Sequence, residues 1–461
     1  MAGAGEDLMA RVRSRREFLR LTAGAAAAVT VGARCNSGSG AGPSGKADNE
    51  ENKGRPTLRI AQWNHFVPAF DAWFDSEYAP RWGDEHGVRV IVDHFPLIEL
   101  STRAAAEVSA QRGHDLFQFT ATPSAFEDEV IDHRELIEEV QGKLGRMAPL
   151  VERSIYNPKT DRFFGFSESW VPNVLHYRSD LWAPFGRPDT WQQVLAAAPV
   201  LKSAGNPIGI GMSSANDFDS SWSLFALMHA YGSSVQDEAG NLTINTPATV
   251  EAVKLGTALY RTGMTDDIFQ WDGSANNRHL ASGRGSLILN AISAIRAIES
   301  QDPDLAAKIA LLPTPDGPSG RHAPYVVNVY VIWKFAENPE AAKQFLVDLA
   351  LASQESVVRS DLYNLPSYPG AVPDLGALAS GDQKARPPGK YAIVGEAESW
   401  STNVGYPGYA NAAMDEVFNQ FLVPRMFAAA ARGEISAEDA VKAAETEMKP
   451  IFDKWKEQGK I

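Results

Sequence analysis

Leu58-Arg59-Ile60-Ala61-Gln62-Trp63, Val88-Arg89-Val90-Ile91-Val92 and Asp115-Leu116-Phe117-Gln118-Phe119 are the three stretches whose reading decides the fold. Each is a short run rich in β-branched or aromatic residues and reads as a strand. Helical stretches fall between them, such as Leu100 to Gln111. Alternation of strand and helix predicts an α/β fold, with mainly parallel sheets flanked by helices.

The pattern continues down the chain. Pro172 to Tyr177 reads as a strand that stops at a turn, Ser179-Asp180. Thr190 with Gln193 has the spacing of a capping box and opens a helix running to about Lys202. Thr246 caps the next helix, with Pro247 at its first position. Leu287-Ile288-Leu289 and Tyr325 to Trp333 read as further strands. Asn338-Pro339 starts a helix whose Ala342, Phe345, Leu346 and Leu349 share one face, and Ser436 opens a late one.

At 461 residues, 44% hydrophobic and 22% charged, the chain can build more than one packed core. Its net charge of -14 argues against nucleic acid, because neutralising phosphates needs a basic face. The nine histidines show no ligand spacing and the single cysteine cannot build a thiolate cage, so neither a metal site nor a cofactor is expected. Gly40 to Lys46 imitates a phosphate loop, but Ala47 stands where Ser or Thr is needed and no strand or helix flanks it. Beyond the N-terminal segment no apolar run is long enough to cross a membrane.

The N-terminus reads as an export address. Ser14-Arg15-Arg16-Glu17-Phe18-Leu19-Arg20 resembles the twin-arginine motif, and the apolar Leu21–Ala33 stretch that follows is too short for a permanent anchor. Residues 1–35 are therefore expected to be a signal segment handled by the twin-arginine export machinery. The cysteine, Cys35, resembles the acylated cysteine of bacterial lipoproteins, although Arg34 occupies a position where a small residue is usual. Cleavage after Ala33, with Val31 and Ala33 as the small pair, is the alternative. Residues 36–55 cannot bury apolar surface and read as a flexible tether.

Several segments together resemble the bacterial extracellular solute-binding proteins of family 1, the maltose-binding type. They are Phe164-Gly165-Phe166 through Asn173 to Leu181 with Pro188-Asp189-Thr190-Trp191, then Asn245-Thr246-Pro247 to Gly263, then Leu280 to Leu287. Leu312-Pro313-Thr314-Pro315-Asp316-Gly317-Pro318 and Gly433-Glu434-Ile435-Ser436-Ala437-Glu438-Asp439-Ala440 complete the set. Departures from the family pattern are the long tether, the lack of a glycine pair near Tyr325, and Gly381 to Gly389, expected to be an added surface loop. The resemblance implies a two-lobed periplasmic-binding-protein fold of type II, with a ligand cleft at the hinge. Lobe one would hold residues 56–168 and 328–366, and lobe two 169–327 and 367–461. It further implies an exported protein, periplasmic or at the outer face of the cytoplasmic membrane. Such a protein acts as a monomer that captures a small molecule and hands it to an ABC transporter permease.

A sugar presents hydroxyls at its rim and C–H bonds on its faces, so its site needs aromatic platforms beside polar side chains. Candidates stand near strand ends. From the first half of the chain these are Trp63, His65, Phe66, Thr122, Trp170 and Asn173. Asp217, Trp222, Trp271, Asp272 and Asn290 follow. Asn328, Tyr363, Asn364 and Tyr406 complete the expected ligand-binding set. Each also has a plain reading: the tryptophans as core packing, the asparagines as backbone partners at strand ends, Asp217 as a helix cap. On the binding reading, truncating Trp170 or Trp222 should weaken ligand binding with modest loss of stability. A polyamine, an anion or a ferric ion remains an alternative ligand. An enzyme acting on polysaccharide with Glu168, Asp217, Asp219 or Asp272 as paired carboxylates is the rival in kind, but no catalytic motif accompanies these residues.

Overall fold

The computed structural model describes residues 54–215 and 217–461. The export motif, Cys35 and the tether up to residue 53 lie outside the described residues. The three opening runs form β1 (Thr57–Trp63), β2 (Arg89–Phe95) and β3 (Leu116–Phe119), with β1 central and parallel to both neighbours. The helices between them are Ala79–His86 and Leu100–Ala110, each ended by a residue with positive φ, Gly87 and Gln111. A small hairpin follows, β4 (Tyr156–Asn157) and β5 (Arg162–Phe163). Then come β6 (Phe166–Val171), β7 (Val174–Arg178), β8 (Ile208–Gly209), β9 (Leu287–Asn290) and β10 (Ile309–Leu312). The chain closes its strands with β11 (Ala323–Pro324), β12 (Val326–Ile332), β13 (Leu365–Pro366) and β14 (Ser401–Thr402).

These strands make two separate main sheets. The larger has the order β13-β6-β12-β3-β1-β2 and the smaller the order β10-β7-β9-β8. Each is the floor of one lobe. The chain leaves the first lobe between β6, which pairs only in the larger sheet, and β7, which pairs only in the smaller. Only Pro172 and Asn173 separate them, so the strand expected over Pro172–Tyr177 begins two residues later. Pro172 fits there because it has no N–H to give to either ladder. The residue limits expected at 168/169 and 327/328 fall inside β6 and β12, both of which belong to the larger sheet.

The sheets are mixed, not mainly parallel. β12 runs antiparallel to β3 and β6, β13 runs antiparallel to β6, and β7 runs antiparallel to β9 and β10. A parallel neighbour needs a crossover of a dozen residues or more, whereas strands that enter from the other lobe arrive from the opposite end.

Helix starts obey the local rules. Thr190 and Gln193 form a full capping box, Thr246 accepts from the Thr249 amide ahead of Pro247, and Ser436 accepts from the Asp439 amide. The segment Gly381 to Gly389 is not a plain surface loop: Asp382 and the following Lys390 and Tyr391 are tied into a buried charge network around Arg296 and Glu299. Among the described residues no helix is long and apolar enough to cross a membrane.

Candidate functional site

The lobe-one wall starts where β1 stops. Trp63 is its last residue, and the turn that follows folds His65 back so that the two rings lie 4.8 Å apart. Tyr363 closes the group, 4.9 Å from His65 and 6.3 Å from Trp63. Hydrogen bonds fix the imidazole. Nδ1 accepts from the Val67 amide at 2.9 Å, which leaves Nε2–H to donate to Asn364 Oδ1 at 3.2 Å. Burial lowers the His65 pKa to about 4, so the ring is neutral at pH 7. Asn328 Nδ2 donates to Ser169 Oγ at 2.9 Å and lies 3.4 Å from Asn364 Oδ1, while Asn328 Oδ1 is buried without a partner. The end of β1, the interior of β6 and β12, and the residues just before β13 thus deliver one wall of rings and amides.

The facing wall is the start of the helix Phe218–Ala230. Asp217 caps it, accepting from the Asp219 amide at 3.1 Å and from Ser220 Oγ at 2.6 Å. Asp219 accepts from Asn276 Nδ2 at 2.7 Å. Burial pushes both carboxyls up, and each is further raised by a neighbouring carboxylate, Asp272 for Asp217 and Asp217 for Asp219. Among the described residues no Lys or Arg offsets either charge. The Tyr363 hydroxyl is raised by burial first and then by the Asp219 carboxylate, which marks the two walls as electrostatic neighbours.

The Asp217 cap depends on a glycine. A Cβ on Gly211 would stand 2.3 Å from Ser220 Oγ, 2.6 Å from Asp217 Oδ2 and 3.2 Å from the Trp271 ring. Gly211→Ala is therefore expected to displace Asp217 and to cost about 1–3 kcal/mol in a urea titration. An unchanged midpoint would show that the cap has room to spare.

A narrow crevice continues from Phe218 between the lobes. Lobe one supplies Phe119 at the end of β3 and Thr120, Thr122 and Phe126 after it, and the helix Ala412–Asn419 supplies Asp415, Phe418 and Asn419. Phe218 and Phe418 stack with centroids 5.5 Å apart, and Trp222 lies 5.5 Å from Phe418. Thr122 Oγ1 and Trp222 Nε1 are buried here without a partner. Asp415 accepts from the Ala125 amide of lobe one at 2.9 Å, and burial raises its pKa to about 7. Phe218, Asp219, Asp415, Phe418 and Asn419 were not among the expected ligand residues. Their only sequence signals are helix caps at Asp217 and Asn411, which mark an element and not a cleft. Buried apolar side chains form one contiguous cluster that includes residues of both lobes. The rings of the crevice are packed on one another.

The other expected residues lie elsewhere or play visible packing roles. Trp170 packs edge-on against Tyr325, 5.3 Å away, whose hydroxyl donates to the Leu150 carbonyl. Asn173 donates to the Pro324 carbonyl at 2.7 Å at the crossing between lobes. Trp271 donates to Asp267 at 2.9 Å and packs against the β8 glycine backbone. Asp272 is exposed and paired with Arg278 at 3.0 Å. Asn290 bonds Asn277 and accepts from the Ala291 amide at 2.6 Å at the end of β9. Phe66, 38% exposed, stands at the rim beside Trp63. The Tyr406 ring lies between His229 and His322, apart from the two walls.

Comparisons with known proteins agree with this architecture. Maltose-bound MalE3 of T. maritima superposes with a TM-score of 0.71 at 17% identity, covering 85% of this chain and 99% of that one. A sugar transporter protein from Arthrobacter chlorophenolicus A6 with bound laminaribiose gives 0.71 at 16% identity, covering 86% and 99%. An ABC transporter solute-binding protein from Agrobacterium radiobacter K84 in complex with ribitol gives 0.67 at 17% identity, covering 86% and 98%. These likenesses establish the two-lobed periplasmic-binding-protein fold. Among curated sequences, an ABC transporter-binding protein of Deinococcus radiodurans is 24% identical over 230 residues, and a binding protein of Brucella abortus (strain 2308) is 22% identical over 199 residues. The chain spans about half the length of these relatives, 53% and 47%. The model of the bacterial extracellular solute-binding protein family matches residues 68–353, more than half of the sequence. The chain therefore belongs to the bacterial extracellular solute-binding protein family.

Proposed function

We propose that this protein captures a carbohydrate or polyol in the crevice between its lobes and delivers it to the permease of an ABC importer. One observation carries the reading. Aromatic rings from both lobes line it, Phe119 and Phe126 on one side and Phe218 and Phe418 on the other, with Trp222 against Phe418, beside buried polar atoms that no protein group satisfies. Thr122 Oγ1, Trp222 Nε1 and Asn328 Oδ1 are matched to the rim hydroxyls of a sugar, as the rings are to its faces. The similar structures that carry maltose, laminaribiose and ribitol support this ligand class.

In this reading the lobes are 56–171 with 326–366, and 174–325 with 367–461, joined at Pro172-Asn173 and at the segments before β12 and after β13. Contacts from one guest to both walls favour the closed form, and the importer reads that form. Micromolar capture needs about -8 kcal/mol, within reach of a few stacked rings and hydrogen bonds. The protein is proposed to act as a monomer without cofactor or catalysis, reaching the outside through the N-terminal export motif, with Cys35 as the lipid anchor if cleavage precedes it. Catalysis is disfavoured because Asp217 and Asp219, two positions apart in the chain, are engaged by a helix amide, Ser220 and Asn276.

A second reading is kept alive by one feature, the Asp217–Asp219 pair without a cationic partner, which would suit an amine such as spermidine. A thermal-shift panel separates the two, because a true ligand raises the unfolding midpoint by mass action. Maltose, laminaribiose, tagatose and ribitol are the sugar arm, spermidine the amine arm, phosphate and sulfate the anion arm. A shift from at least one member of the sugar arm is expected. A shift from spermidine or an anion alone would overturn the carbohydrate reading.

A further inference from the structure

Two of the wall residues, Tyr363 and Asn364, follow a backbone that ordinary side chains avoid. Asp361 and Leu362 both have positive φ, 53° and 67°, with neither a glycine. Successive non-glycine residues in this region cost energy and persist only where the surroundings impose them. The local bonds, Leu362 N–H to Val357 and Tyr363 N–H to Ser360, turn the chain but belong to the same segment. Two outside restraints come from the other lobe: Lys384 pairs with the Asp361 carboxylate, and a second bond reaches the Asp361 backbone. Arg296, on the helix Ser293–Gln301 that follows β9, donates its Nε–H to the Asp361 carbonyl at 2.9 Å.

The guanidinium is itself immobilised. Its Nη1 pairs with Glu299 at 3.2 Å, its Nη2 with Asp382, and its plane lies 3.7 Å from the Tyr391 ring centroid. Its side chain is 6% exposed, as is that of Glu299. The planar fork is held on two carboxylates and an aromatic face, and in that orientation its Nε–H points at the Asp361 carbonyl.

We infer that Arg296 is a positioning residue for the ligand site: through the Asp361 carbonyl it holds the Asp361–Leu362 turn that presents Tyr363 and Asn364 to the crevice. The contact also spans the two lobes, so it couples the shape of the lobe-one wall to closure. The inference rests on the proposed ligand site for its binding consequence, but not for its structural one.

The test compares Arg296→Lys with Tyr391→Phe in the full mature chain. Lysine keeps the charge beside Glu299 and Asp382 but cannot bridge both and the carbonyl. Tyr391→Phe removes the 2.8 Å bond from the Tyr391 hydroxyl to Glu299 while leaving the Arg296–Asp361 bond in place. Hydrogen exchange at the Leu362, Tyr363 and Asn364 amides is the first readout and needs no ligand. Exchange about tenfold faster in Arg296→Lys, and unchanged in Tyr391→Phe, is expected. Titration with maltose, laminaribiose, tagatose and ribitol is the second, with about a tenfold weaker affinity in Arg296→Lys for any of these that the parent binds. Equal exchange at the three amides in parent and Arg296→Lys would overturn the inference, as would equal sugar affinity. Faster exchange with no sugar bound by the parent would uphold the positioning role and sink the carbohydrate reading instead. Should Arg296→Lys not fold, the neutral pair Arg296→Gln with Asp382→Asn removes the same donor without stranding a charge on Asp382, and the same outcomes apply.

Discussion

At pH 8 the Glu168→Gln protein is expected to be more stable than the parent by about 3 kcal/mol, and near pH 4 the two are expected to be equal. Glu168 lies in β6, buried to 3% exposure, with Oε1 accepting from Ser169 Oγ at 2.8 Å and Oε2 without a partner. Burial raises its pKa from 4.5 to about 7. The folded protein therefore binds more protons than the unfolded chain between those two values. Stability falls as pH rises through that window and is flat above it. Glutamine keeps the size and the acceptor for Ser169 and carries no charge to desolvate, so its curve should be flatter between about pH 4.5 and 7. Urea titrations of both proteins at pH 4, 6 and 8 check this. A variant less stable than the parent at pH 8 would mean that Glu168 has a charge partner in the fold.

Trp222→Leu is expected to weaken sugar binding by about 10- to 100-fold, whereas Trp170→Leu is expected to leave affinity within about twofold of the parent. Both indoles are equally buried, at 4% exposure. Their neighbours differ. Trp222 sits among Phe218 and Phe418 at the crevice with its N–H unpartnered, and loses a stacking face and a donor together. Trp170 packs on Tyr325 beneath the helix Pro149–Ile155. Such burial also changes the expected cost to the fold. Truncating either to alanine would cost about 3–5 kcal/mol, not the modest loss expected from sequence, and leucine reduces that cost by filling part of the space. Calorimetric titration with the sugar that shifts the midpoint, alongside urea midpoints, gives both quantities. Equal losses of affinity in the two variants would remove the distinction drawn between these rings.

The sequence was most legible where structure is set locally. β1, β2 and β3 are short β-branched or aromatic runs, and each falls within three residues of its expected limits. Thr190, Thr246 and Ser436 mark helix starts because a cap acts within three residues. The break at Pro172-Asn173 was not legible: both flanking strands are buried along their whole length, and only pairing with two different sheets separates them. Sheet direction failed for the same reason, since local alternation cannot report strands that arrive from another lobe.

Of the proposed site, Trp63 and His65 carry the sequence signal of a strand end, and Tyr363-Asn364 stand beside a strand. Trp170 and Trp271 carry the same signal but face protein. Asp415 and Phe418 could not be found, since they meet Ala125 and Phe218 across about 290 and 200 positions of chain and look like an ordinary amphipathic helix.

The deciding experiment is a crystal structure of the mature protein grown with the sugar from the thermal-shift panel. One sugar between the lobes is expected, with a ring face on Trp222 or Phe418 and hydroxyls bonded to Thr122 and Asn328. A sugar bound on the outside of either lobe, with Trp222 and Phe418 still packed as they are without it, would rule out capture between the lobes.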